Sequence, residues 1–297
     1  MYISTFNSMA NNLAEYIQKN NLKSMVLGLS GGIDSTLCAL ICNEALKQLD
    51  DAKLILVSLP SNTNDNMEND IAWKLGTGLM EMHKDDNKVI FQIHSIEHDY
   101  KVLHESLSIA LRQMTVNSPY EMQPLQNGNI KARIRMMYLY NIASVSNGIV
   151  IDTDNMTEHN LGFWTIHGDV GDVNPIGRLW KTDIYNLAKE CAHKFDFNND
   201  YNTSVYEALI RSIEITPTDG NGVKAGGDLA QIAPTLKYED VDKILQNEVL
   251  EFDEAKCIEK RNELSHMYGE DAVNAVIKRH KNSEYKRRRQ PIVLMPF

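Results

Sequence analysis

Val26-Leu27-Gly28-Leu29-Ser30-Gly31-Gly32-Ile33-Asp34-Ser35-Thr36 decides the fold of this chain. An apolar β-type run ends in a Ser-Gly-Gly turn and passes directly into Asp34-Ser35-Thr36-Leu37-Cys38-Ala39-Leu40-Ile41, whose apolar spacing predicts a buried helix. Glycines in such a turn let backbone N–H groups approach a ligand closely. The start of the following helix adds free N–H groups and a positive dipole end, so a phosphate is the natural guest. A Walker A loop would carry a Lys just before its Ser or Thr. Here Asp34 stands in that place. A bare carboxylate beside a polyphosphate repels it, so this pairing calls for a divalent cation, with magnesium the fitting hard ion.

Working outward, helical spacing of Phe6, Met9, Leu13 and Ile17 predicts a lead helix over residues 5 to 20. Residues 53–59 and 89–93 read as strands, and helices are predicted between them around Ile71 to Met82 and over 97–113. Gly148 to Ile151 begins a further strand that ends in polar residues. The alternation predicts an α/β fold, a doubly wound parallel sheet with ligands at the carboxyl ends of its strands. Gly28 to Asp34, Pro60 to Asn64 and His94 to Glu97 would then share one rim.

Met114 to Gln126 reads as a polar break, followed by a helix with Asn127 or Asn129 near its start. Arg133 and Arg135 in that helix lie on roughly opposite faces, so at most one easily points into a site. Thr153 and Glu158 flank a strand-to-helix turn where a hydroxyl and a carboxylate can face the same phosphate or metal. Leu161 to Arg178 is a Gly- and Asp-rich loop of a length that is often functional. Lys181 opens the next helix, 181–195, at the end where the dipole disfavours a cation, and a nearby anion such as a triphosphate would resolve that conflict. Thr216 to Gly227 reads as a flexible lid, and residues 237 to 280 as two or three short helices. One domain results, with the core sheet over about 1–200 and a lid and helical C-terminal subregion over about 201–297.

Composition bounds the partners. The chain has 297 residues, 43% hydrophobic and 24% charged, as in an ordinary globular protein. No apolar run reaches bilayer length and residues 1–7 carry no leader pattern, so a cytoplasmic protein without a membrane partner is expected. A net charge of -10 repels nucleic acid, despite the short basic cluster Lys286-Arg287-Arg288-Arg289. The four cysteines contain no CxxC pair; Cys38 and Cys42, one turn apart, read as small buried hydrophobes.

Ser30-Gly31-Gly32-Ile33-Asp34-Ser35 resembles the pyrophosphate loop of the ATP pyrophosphatase superfamily, enzymes that cleave ATP between the α and β phosphates, with an adenine nucleotide alpha-hydrolase-like fold. Further motifs make the chain similar to ammonia-dependent NAD synthetase: Gly128 to Met136, Asp152-Thr153-Asp154 with Glu158, Gly162 to Thr165, Gly168-Asp169, Asn174-Pro175, Arg178-Leu179, Lys181, Pro217-Thr218 and Tyr285-Lys286-Arg287. That resemblance implies a two-step reaction in which the nicotinate carboxylate of deamido-NAD is adenylated by ATP and then amidated by ammonia. It also implies roles. Gly28 and Ser30, Gly31, Gly32, Ile33, Asp34 and Ser35 would hold the pyrophosphate; Thr153, Lys181 and Thr218 would contact ATP; and Asp34 and Glu158 would hold magnesium. Asn129, Arg133, Asp172, Tyr285 and Lys286 would meet deamido-NAD, with Asp169 close by. A homodimer is implied too, and ammonia in place of glutamine, with any glutaminase a separate protein because no room for one precedes the lead helix.

The chain departs from the family at Ser58, where many members carry an Arg over the adenine, and at Leu125, where many carry a Phe stacked on the dinucleotide. The Gly168 to Asp172 run is one residue short, which leaves open whether Asp169 or Asp172 meets the substrate. Ile166 stands in place of a Lys, and Tyr285 in place of a His. Two other readings are another adenylating ligase of the same loop group and a non-catalytic adenine-nucleotide sensor.

Overall fold

A computed structural model describes residues 2–114, 122–194, 203–215 and 229–287. In chain order the elements are α1 (Tyr2–Lys19), β1 (Ser24–Gly28), α2 (Ile33–Leu46), β2 (Lys53–Ser58), α3 (Asn66–Met82), β3 (Val89–Ile93), α4 (Glu97–Met114), α5 (Pro124–Val145), β4 (Gly148–Ile151), α6 (Met156–Leu161), α7 (Lys181–Lys194), α8 (Thr203–Glu214), α9 (Tyr238–Leu250), α10 (Glu254–Tyr268), α11 (Glu270–Asn282) and α12 (Glu284–Arg287). The strands form one parallel sheet in the order β3-β2-β1-β4, with Met25 level with Leu54 on one side and Ile149 on the other. From β1 the chain goes to β2 on one flank and returns later to β4 on the other. The end of β1 is therefore the switch point, where the connections diverge and a crevice opens.

Alternation along the strands divides the core. Met25, Leu27, Leu54 and Leu56 face α1, α2, α3, α7 and α8, while Val26, Val57 and Val150 face α5 through Ile130 and Ile134. Helices thus cover both faces of the sheet, as the strand and helix alternation predicts. A third cluster packs Leu161 and Trp180 against Val241, Ile244, Leu264 and Val276 of α9 to α11. These helices make up the helical C-terminal region.

Two features differ from the sequence reading, the start of α5 and the presence of α8. The helix expected to open at Asn127 or Asn129 begins at Pro124, because Pro suits a first helical position and Gln126 reaches back to the Gln123 amide. Residues 115–121, the rest of the supposed break, lie outside the described residues. Beyond residue 200, where periodicity fades, α8 buries Val205, Ala208 and Leu209 against α2 and α3. α4 contributes no buried residue and exposes Val102, Leu103, Leu107 and Ile109. Among the described residues no helix is long and apolar enough to cross a membrane.

Candidate functional site

The turn after β1 is closed by its own hydroxyls: Ser30 Oγ and Ser35 Oγ lie 3.0 Å apart, the Gly32 amide donates to Ser30 Oγ at 3.2 Å, and Ser35 Oγ donates to Gly32 O at 3.1 Å. Gly31 has φ +89°, and a Cβ there would lie 1.9 Å from the carbonyl oxygen of Glu68 on α3. Only glycine fits, for backbone and packing reasons at once. Gly28 is kept small by packing of a different kind, since its Cβ would come 3.0 Å from Leu139 on α5. No side chain caps α2, so its first amides remain directed at the crevice.

The β4 end brings the second acid. Asn155 caps α6 by accepting from the amides of Thr157 and Glu158, both at 3.0 Å, and Glu158 Oε2 accepts from the Asn155 amide at 3.2 Å. That is a reciprocal capping box. Asn155 Nδ2 also donates to Asp34 Oδ1 at 2.9 Å. Lys181 Nζ, on a residue only 2% exposed, donates to Asp34 Oδ2 and, at 3.0 Å, to Glu158 Oε1. Burial alone would push this ammonium down, but the adjacent Asp34 and Glu158 carboxylates hold it well above the ordinary lysine range. The anion that the sequence demands near Lys181 is thus supplied by two of the chain's own carboxylates.

One ammonium between two carboxylates leaves the group negative, and its donors are hard oxygens on the edge of the crevice. That donor set fits a magnesium ion. Thr153 and Asp154 border the same crevice.

The crevice has a volume of about 640 Å³. Every described candidate borders it except Gly31 and Asp172. Asp172 accepts from Tyr140 Oη at 3.0 Å and from the Val150 amide at 3.3 Å, tying the loop to α5 and β4. Asp169 borders the crevice, and its carboxylate accepts from the Thr165 amide at 2.7 Å. Thr165 Oγ1 in turn donates to Asn129 Oδ1 at 2.8 Å. Of the two aspartates left open by the sequence, only Asp169 borders the crevice. Thr218, together with the supposed lid over 216–227 and Arg288 and Arg289, lies outside the described residues.

Arg133 and Arg135 on α5 meet two different loops, one at Ile166 and the other at Leu59 and Asn64. Arg133 is exposed and donates to Ile166 O at 3.2 Å through Nη2. Arg135 Nε donates to Leu59 O at 2.9 Å and Nη2 to Asn64 Oδ1 at 3.0 Å, while the buried Lys131 donates to Thr63 Oγ1 at 2.8 Å. Both arginines border the crevice, contrary to the expectation that at most one would. Lys286 donates to Gly162 O at 2.7 Å and Trp164 O at 2.5 Å, and the Trp164 ring stacks on His159 with centroids 5.4 Å apart. Sequence reasoning missed Arg135, Lys131 and Asn155. Only Asn155 had a local signal, an Asn followed three residues later by Glu.

Fold and site together define an α/β protein with a crevice at the switch point of its parallel sheet. The chain belongs to the NAD synthase family, whose model matches residues 5–291. It is 33% identical over 182 residues to the NH3-dependent NAD+ synthetase of Campylobacter jejuni, covering 61% of this chain and 64% of that protein. It is 30% identical over 181 residues to the Helicobacter pylori protein of the same name, covering 60% of this chain and 59% of that one. The match thus spans less than two thirds of these relatives. Among solved structures, an NMN synthetase from Francisella tularensis has a TM-score of 0.69 at 24% identity, covering 100% of this chain and 98% of that one. The NH3-dependent NAD synthetase of Campylobacter jejuni has a TM-score of 0.61 at 24% identity, covering 99% of each chain. At these identities the structures bear on the fold alone.

Proposed function

We propose that this chain joins ammonia to the nicotinate carboxylate of deamido-NAD at the expense of ATP, yielding NAD, AMP and pyrophosphate. The observation that carries this reading is the group formed by Asp34, Glu158 and Lys181 beside the uncapped start of α2. In this reading the amides of the Ser30 to Ser35 turn receive the β and γ phosphates. Lys181 and Thr153 face the α phosphate, with Thr218 taking the part that the family resemblance gives it. Asp34 and Glu158 would hold magnesium, which supplies charge neutralisation to the departing pyrophosphate. Asn129, Arg133, Asp169, Tyr285 and Lys286 orient the pyridine nucleotide so that its carboxylate meets the α phosphorus, and the rate gain comes from positioning and charge stabilisation. Ammonia then displaces AMP from the acyl adenylate. No residue serves as a covalent nucleophile.

We read the protein as a cytoplasmic homodimer, paired through the exposed apolar face of α4, that acts on no nucleic acid and draws ammonia from solution or from a separate glutaminase. A second reading, amidation of the mononucleotide, draws on Leu125. That residue borders the crevice, 56% exposed, where many family members stack a Phe on the dinucleotide. The test is to mix the protein with ATP, magnesium, ammonium and either deamido-NAD or nicotinate mononucleotide, and to measure AMP and the amide product. AMP formed only with deamido-NAD supports the first reading, and a preference for the mononucleotide supports the second. Formation of ADP, or AMP release indifferent to both, rejects the two together.

A further inference from the structure

α9 reaches the site from the helical C-terminal region through two side chains one turn apart, Tyr238 and Asp242. Asp242 is 2% exposed. Its Oδ1 accepts from Thr157 Oγ1 at 2.5 Å, and its Oδ2 accepts from the Thr182 amide at 2.8 Å and Thr182 Oγ1 at 2.6 Å. Thr157 Oγ1, whose hydrogen is donated to Asp242, accepts from the Lys181 amide at 2.8 Å. The ring of Tyr238 lies 5.5 Å from Lys181 Nζ.

Two of the first amides of α7 are therefore capped from other elements, one by Asp242 directly and one by way of Thr157. Trp180, just before this helix, has no side-chain oxygen to do so. A locally capped helix would leave Lys181 independent of α9, whereas the borrowed cap ties the two together. The arrangement also keeps a carboxylate where burial disfavours its charge, with three donors compensating.

We propose that Asp242 is a positioning residue, holding the first turn of α7 so that Lys181 reaches Asp34 and Glu158 at once. It thereby couples the placement of the C-terminal helices to the handling of ATP. Its kinetic arm rests on the function proposed above. Its structural arm does not.

The test compares Asp242→Ala with Arg261→Ala. The latter breaks the two-bond pair of Arg261 with Glu248 between α10 and α9, in the same helical region but away from Lys181. In Asp242→Ala the Lys181 and Thr182 amides exchange with deuterium at least about tenfold faster than in the wild type. In the same variant kcat falls about 10- to 100-fold, while KM for ATP moves less than about threefold. Arg261→Ala lowers the melting temperature but leaves both readouts near wild type. Asp242→Asn, whose amide oxygen still accepts from the Thr182 amide, recovers most of the rate. If Asp242→Ala does not fold, Thr157→Val, which removes the link between Asp242 and the Lys181 amide, shows the same direction of change in exchange. Wild-type exchange in the Asp242 and Thr157 variants overturns the proposal. So does a loss of kcat in Arg261→Ala equal to that in Asp242→Ala. A wild-type protein with no turnover on either pyridine substrate rejects the proposed function alone, and the exchange comparison then still decides the role of Asp242.

Discussion

Asp34 and Glu158, one from the first strand's turn and one from the first turn of α6, accept hydrogen bonds from the same ammonium, that of Lys181. Lys181→Met preserves length and removes the charge, leaving two partly buried carboxylates to repel each other. The expected cost is about 3 kcal/mol of stability, with turnover reduced about 1000-fold. Magnesium should then raise the melting temperature of the variant more than that of the wild type. A melting temperature that ignores magnesium would count against the two acids as ligands.

The Gly31 turn makes a sharper demand. In Gly31→Ala the added Cβ meets the Glu68 carbonyl at 1.9 Å and the φ of +89° is strained for any L side chain. The turn must move away from α3, and the amides that face the crevice move with it. We expect a loss of about 2 kcal/mol or more in thermal or urea unfolding, and a KM for ATP raised at least about tenfold. Wild-type affinity for ATP in this variant would show that the turn does not bind the nucleotide.

Arg133 and Arg135 should separate by readout. Arg133 is exposed, with one carbonyl contact, so Arg133→Ala should leave stability within about 0.5 kcal/mol and raise KM for the pyridine substrate about tenfold. Arg135→Ala strips partners from Leu59 O and Asn64 and should cost about 1 to 3 kcal/mol. The reverse pattern in urea melts and steady-state rates would exchange their roles.

His280 predicts a pH response in the C-terminal helices. Its Nδ1 lies 3.0 Å from Asn160 O, and burial, reinforced by the nearby Arg287 and Lys281 and opposed by that hydrogen bond and by Glu248, pushes its pKa below the ordinary 6.5. The folded state thus favours the neutral ring, and the unfolded chain takes up the proton first as pH falls. The contribution is fully present above the ordinary histidine value and is lost as pH drops through the folded one. His280→Gln should therefore flatten the fall in melting temperature between about pH 7.5 and 5.5. A curve parallel to the wild type would place that fall on other groups.

Local signals made the centre of this site legible. Continuous apolar runs marked β1 and β2 as strands buried on both faces, and the glycines and Asp34 marked the turn between β1 and α2 that lines the crevice. Glu158 was legible as both a capping acid and a site acid, and the structure shows it capping α6 with one oxygen while the other meets Lys181. What escaped depended on direction across the fold. Spacing along α5 could place Arg133 and Arg135 on opposite faces, but it could not reveal that a rim loop lies against each. Asp169 and Asp172 differ by three positions in a loop without periodicity, so only the path of the backbone separates them. Asp242 gives no motif at all, because its partners lie on α6 and α7.

Asn155 holds Asp34 with its amide nitrogen while its amide oxygen starts α6. Ser and Thr can begin a helix but are too short to span to the first loop, and Asp would begin it while confronting Asp34 with a like charge. A saturation library at this codon, selected for growth that depends on the proposed activity, should for that reason return the parental residue almost alone.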